Sequence, residues 1–305
     1  MKGKTNLKHA GPMWNPTLKR TFRDSNEWMA TTGLKELDVT LASLEQKVLT
    51  TGIVERNILV NVGRTGYALG VKACALSQSD LRGELIRCID WSVSFCDLAF
   101  RFNAATSMKR EDQYLLPFPS GMAVAGITML SRWESARISA SLLIEVAHKE
   151  QVRHAREIRK IAWGNGTHVA FLIYLLAEAF GIPTHYEPAM PFLEAYKQLL
   201  KVWRTKDKVI FQDAMLAAAD FHISRSKGAT ERNNYEFDDY FDRIYPAELL
   251  AVQALRRRDG LPEFQTGHLL VDTPWSIIRD AEPVEPHPVF IAIQDRMRQD
   301  YPGFV

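Results

Sequence analysis

A chain of 305 residues, 46% hydrophobic and 24% charged, can bury a large core, which excludes an intrinsically disordered protein. Its formal charge of +2 comes from 38 basic and 36 acidic side chains, so no overall field draws it to nucleic acid or to a membrane surface, and neither is expected as a partner. Cys74, Cys88 and Cys96 all sit in apolar helical patterns and read as reduced core residues, not as a disulfide scaffold.

Met1-Lys2-Gly3-Lys4 is basic, but Thr5 to Trp14 hold no continuous apolar run, so no secretory signal is expected and the location inferred is cytoplasmic. Residues 1–32, with Pro12, Pro16, Trp14 and Trp28, read as an irregular arm docked by its aromatics. Leu34, Leu37, Leu41, Leu44 and Val48 are spaced by three and four and predict a helix. The next helical segment, to about Ala75, contains Gly63, Gly66 and Gly70. No strand precedes these glycines and no Gly-Lys-Ser/Thr follows, so they predict close helix packing, not a phosphate loop.

A third helix is expected from Ser79 or Asp80 to about Ala104. Leu116-Pro117-Phe118-Pro119-Ser120-Gly121 then reads as a break between a half at 33–118 and a half at 119–305, both within one globular unit. Two helices follow between Met122 and Trp163. The apolar stretch Val169 to Ile182, about fourteen residues with Glu178 inside, falls short of the roughly 20 needed to cross a bilayer and reads as a buried central helix.

Gly181-Ile182-Pro183 and Gly260-Leu261-Pro262 carry the same helix-stop signature. Between them lie a helix entered at Pro191, another from Asp207 to Ser224, and one opened by Pro246. The proline-containing tail holds a last amphipathic piece from His287 to Tyr301, and the only strand-like runs are His268–Val271 and Val289–Ile293. The expected architecture is all-α, an irregular stack of helical hairpins with roughly ten to twelve helices.

Several groupings bear on chemistry. Glu145 and His148 have the spacing of a helical metal pair, but no second Glu-x-x-His completes a site, so no metal and no cofactor are expected. Asp220 and His222 diverge on a helix, and His168 has no nucleophile beside it. No Gly-x-Ser-x-Gly elbow, His-Glu-x-x-His or zinc-spaced Cys/His set occurs, so no catalytic residues are assigned.

The clearest local charge feature is Glu236, Asp238, Asp239 and Asp242, interleaved with Phe237, Tyr240 and Phe241. Either it anchors a basic protein surface through Glu236, Asp238, Asp239, Tyr240 and Asp242, or its rings enter the core while its acids face water. Arg256-Arg257-Arg258 suits a helix C-terminus.

Two stretches, Met129-Leu-Ser-Arg-Trp-Glu-Ser-Ala-Arg-Ile-Ser-Ala-Ser-Leu-Leu143 and Tyr245-Pro-Ala-Glu-Leu-Leu-Ala-Val-Gln-Ala-Leu255 with the following Gly260-Leu-Pro262, resemble an all-helical family of bacterial polymorphic-toxin immunity proteins, immunity protein family forty-nine. The resemblance extends over Gly121 to Val146 and Tyr245 to Trp275 and leaves residues 1–32 unmatched. It implies a non-enzymatic protein made beside a toxin of a contact-dependent or type VI secretion route. The cognate toxin, for which a nuclease is the expected class, is the implied partner, neutralised by tight binding. No family site residues carry over. The alternatives are an all-α metal-dependent or acid/base enzyme using Glu145, His148 and His168, and a helical adaptor for another protein.

Overall fold

The computed structural model describes residues 14–50, 56–108, 115–154, 162–231, 233–301 and 304. The chain is all-α. In order it forms α1 (Trp14–Trp28), a π-helical turn (Met29–Gly33), α2 (Leu34–Thr50), α3 (Arg56–Leu76), α4 (Arg82–Ser107), α5 (Pro117–Met129) and α6 (Trp133–His154). A 3-10 turn (Ala162–Gly164) leads to α7 (His168–Phe180), α8 (Glu194–Val202), α9 (Lys208–Arg225), α10 (Tyr240–Ile244), α11 (Ala247–Arg258), α12 (Leu269–Ile278) and α13 (Pro288–Asp300). Twelve of these segments have nine residues or more, and α10 has five.

The expected irregular arm is corrected from Trp14 onward: residues 14–28 are helix, with Leu18 buried in the core and the Trp28 ring edge-on to Tyr67 at 6.5 Å. Gly33 lies against the Trp28 ring, so any larger residue there would collide with it. Residues 1–13 of that arm lie outside the described residues.

The supposed break at Leu116–Gly121 is a helix start. Pro117 and Pro119 occupy the first turn of α5, where the missing N–H groups have no intrahelical acceptor to lose. The third helix begins at Arg82, later than expected, and Ser79 Oγ accepts the Leu81 N–H at 3.3 Å ahead of it. Both strand-like runs are helical: His268 Nδ1 accepts from Leu270 N (3.1 Å) to open α12, and His287 Nδ1 accepts from Val289 N (3.2 Å) to open α13. β-branched residues in short apolar runs suit either structure, and here the caps and the buried face select helix.

Both glycine stops are observed. Gly181 (φ 64°) and Gly260 (φ 65°) turn left-handed, and the N–H groups of Ile182 and Leu261 return to Ala177 O and Arg256 O. Asp207 caps α9, accepting from Val209 N and Ile210 N.

Neighbours in sequence pack as hairpins, α3 on α4, α5 on α6 and α8 on α9, while α11 lies along α5 far from it in the chain. α5, α7 and α11 are the buried centre; Val169 to Ile173 are fully covered, as are Leu249 to Val252. The main core runs through the 118/119 position, joining Leu85, Ile89 and Val93 to Val124, Phe171 and Leu250. A smaller core places α13, through Phe290, Ile293 and Met297, against Leu44 of α2 and Phe95 and Leu98 of α4.

The three arginines ending α11 staple loops as well as complementing its dipole. Arg256 is fully buried over the Phe211 ring and donates to the carbonyls of Trp203, Thr205 and Pro262, while Arg258 donates to Ala179 O at 2.9 Å. Both stretches that carry the family resemblance are scaffold. The first spans the α5–α6 turn, where Ser131 has φ 58° and Arg132 Nη2 donates to both oxygens of Asp90 (2.6 and 2.5 Å); the second is α11.

Candidate functional site: an acidic cleft above a buried histidine pair

A cleft of about 980 Å³ opens between α3, α4 and α5, with α10 and its preceding residue closing one wall. Its mouth is apolar: Val60, Tyr67 and Leu116 line it and are all exposed. Gly63, Gly66, Ser92, Cys96 and Ala99 line it from α3 and α4, Met122 and Ala123 from α5, and Asp239 and Asp242 from the α10 segment.

The glycines of α3 set how closely these parts approach. A Cβ on Gly66 would stand 2.6 Å from Cys96 Sγ and 3.1 Å from Ser92 O, and Ser92 Oγ donates to Gly66 O at 2.7 Å. A Cβ on Gly70 would stand 3.0 Å from Phe241 Cβ, so this glycine seats the α10 segment on α3.

Aromatic plugs hold that segment in place. Phe237 is fully buried, and Phe241 stacks on Tyr245 at 4.8 Å, whose hydroxyl pairs with Ser77 Oγ at 2.7 Å. Arg243 spends its guanidinium on the main chain, donating to the carbonyls of Phe237 and Asp238. Consequently the carboxylates of Asp239 and Asp242 have no hydrogen bond or ion pair among the described residues.

Burial raises both acids, Asp239 to about 6 with help from the Asp238 charge, and Asp242 well above the usual carboxylate range with help from Asp239 and Glu248. Arg243 opposes this in both cases without cancelling it. Burial, helped by the Asp242 and Asp239 charges, pushes up the Cys96 thiol, and burial helped by Asp239 pushes up the Tyr67 hydroxyl, which keeps both in their neutral forms.

Behind α10 lies a sealed polar cluster. His222 Nδ1 is 2.7 Å from Glu248 Oε1, which also accepts from Tyr196 OH at 3.2 Å; His222 Nε2 is 2.9 Å from the main-chain carbonyl of Asp242. His222 and Glu248 are fully buried. Burial alone would raise Glu248, but His222, through charge and hydrogen bond, brings it below its ordinary value. The Phe237 ring stacks on His222 at 3.7 Å and also meets the His168 ring, tilted at 51°, at 4.9 Å. Neither ring nitrogen of His168 makes a hydrogen bond of ordinary geometry among the described residues, although the Phe118 backbone slightly favours its charged form. Burial drives this imidazole down to about 4.

The expected anchor of five residues is thus divided. Glu236 is buried and ion-paired with Arg225, which corrects its place on a binding surface; Asp238 is exposed; Tyr240 lies half-buried under Arg243; Asp239 and Asp242 face the cleft. Glu145 is exposed, while His148 pairs with Thr184 Oγ1 (3.1 Å) and accepts the His185 N–H (3.0 Å). Among the described residues no three His, Cys, Asp or Glu side chains gather as for a metal ion, and no helix is long and apolar enough to cross a membrane.

Asp220 is exposed, and His222 works instead with Glu248, 26 positions on. The legible signal was Glu248 itself, a lone acid within the apolar run Ala247–Leu255, because a buried carboxylate requires a partner. No family model matches the chain, and neither a curated protein nor a solved structure matches it.

Proposed function

We propose that this chain is an immunity protein that binds a cognate bacterial toxin, covers its active site and receives a basic side chain of that toxin in the cleft. The observation that carries the reading is a pair of acids, Asp239 and Asp242, facing a cleft of about 980 Å³ with an apolar mouth, their carboxyl groups without a hydrogen bond or ion pair among the described residues while Arg243 donates to the main chain. A lysine or arginine of a partner suits both features. Its aliphatic stem fits Val60, Leu116 and Tyr67 at the mouth, and its charged head compensates the acids. The resemblance of 129–143 and 245–255 to the immunity family supplies the toxin as the class of partner, and a nuclease, whose active site is basic, matches the sign of the charge.

The test is co-expression with the open reading frame beside this gene. The neighbour alone should arrest growth, this chain should restore it, and the purified pair should form a complex that Asp239→Asn/Asp242→Asn weakens at least about tenfold, a loss of roughly 1.4 kcal/mol. A harmless neighbour, or a double variant that binds as tightly as the parent, would remove the reading.

A second reading, an acid/base enzyme, is favoured by one observation: Asp239, held at about 6, exchanges its proton near neutral pH within a cleft. Turnover of a substrate with an inflection near pH 6, abolished by Asp239→Asn, would select it over the first.

A further inference from the structure

The carbonyl of Asp242 lies in the last turn of a helix only five residues long, where main-chain acceptors lack intrahelical donors. The group that meets it is not a solvent-facing cap but an imidazole in the core, with His222 Nε2 2.9 Å from that oxygen. A carbonyl only accepts, so Nε2 carries a proton whichever way the proton between Nδ1 and Glu248 is shared.

The ring has little freedom. Phe237 covers one face at 3.7 Å and 20°, and Nδ1 is fixed on Glu248 Oε1 at 2.7 Å, itself held by Tyr196. Rotating the imidazole would leave a buried carboxylate without its partner. We infer that His222 is the positioning residue of the cleft: through the main-chain carbonyl it fixes where the Asp242 carboxylate stands, tying that carboxylate to α8, α9 and α11. The inference rests on the reading of Asp239 and Asp242 as the cleft's cation-binding acids.

This role differs from that of Arg243, which holds the carbonyls of Phe237 and Asp238, ahead of the helix. The His222 bond instead reaches Asp242, the acid that faces the cleft from within α10.

The test uses the full chain, isotope-labelled, with n-hexylguanidinium as probe. His222→Gln keeps a donor for the Asp242 carbonyl and should bind the probe within about threefold of the parent. His222→Leu/Glu248→Met removes the pair together, so no lone charge remains in the core; it should fold, bind about tenfold more weakly and shift the titration of the Asp242 carboxyl carbon. A folded double variant with an unmoved Asp242 titration overturns the inference. Should the double variant not fold, the parent decides: saturating probe should displace the His222 Nε2–H resonance, and an unchanged resonance overturns it. If Asp239→Asn/Asp242→Asn binds the probe like the parent, the cleft reading fails, while the Asp242 titration in the His222 variants still judges the positioning role.

Discussion

Replacing His168 with leucine should flatten part of the pH dependence of folding. The imidazole is fully buried between Phe118 and Phe237, with centroids 5.3 and 4.9 Å away, and burial lowers it from 6.5 to about 4. A base depressed in the folded state contributes stability that is intact above 6.5 and lost as pH falls toward 4, because the unfolded chain binds the proton first. With these two values the loss is about 0.2 kcal/mol at pH 7 and about 2 kcal/mol at pH 5. Asp239 works in the opposite sense: its carboxyl is raised, so its contribution is present at low pH and lost as pH rises through about 6. The net profile of the parent therefore mixes both groups, and the difference between parent and His168→Leu isolates the imidazole. Urea denaturation at pH 7 and pH 5, followed by tryptophan fluorescence, should show the variant gaining about 2 kcal/mol on the parent at the lower pH. A difference constant to within about 0.5 kcal/mol would refute the argument, since it would mean that His168 has a hydrogen-bond partner that keeps its proton affinity ordinary.

Three further outcomes follow from the same contacts. Gly66→Ala places a Cβ 2.6 Å from Cys96 Sγ, between two helices that cannot separate locally, and should cost about 1–3 kcal/mol, read as a lower thermal midpoint. Arg256→Met leaves the carbonyls of Trp203, Thr205 and Pro262 without their donor and should cost about 3 kcal/mol in urea denaturation; a cost below about 1 kcal/mol would show that water replaces the guanidinium. Asp239→Asn/Asp242→Asn removes two acids whose ionised forms burial disfavours, so it should raise stability at pH 7 while weakening cation binding; a destabilised variant would show that the acids hold the fold.

Much of the fold was legible because a helix is built from local bonds, and its period and stops are written within a few residues. The three-and-four spacing of Leu34 to Val48 and the Gly-Ile-Pro and Gly-Leu-Pro endings mark helices and their ends without knowledge of the rest. Local rules misled where one pattern suits two outcomes. Pro117 and Pro119 read as a break and open a helix, and the strand-like Val289–Ile293 lies in α13, where Val289, Phe290 and Ile293 are buried and Ile291 is exposed.

The site was legible only as an acidic run. Whether each acid turns inward, outward or into a cleft depends on α3, α4, α5 and α9, which lie elsewhere in the chain. Glu236 finds Arg225, Asp242 is held by His222, and Glu248 meets a histidine 26 positions earlier. By itself the sequence determined that this chain is helical and where most helices stop, since backbone hydrogen bonds within a helix join residues four apart. Only the tertiary structure decided which carboxylates lose their water and which histidine supports them, because desolvation is a property of what packs around a group and not of its neighbours along the chain.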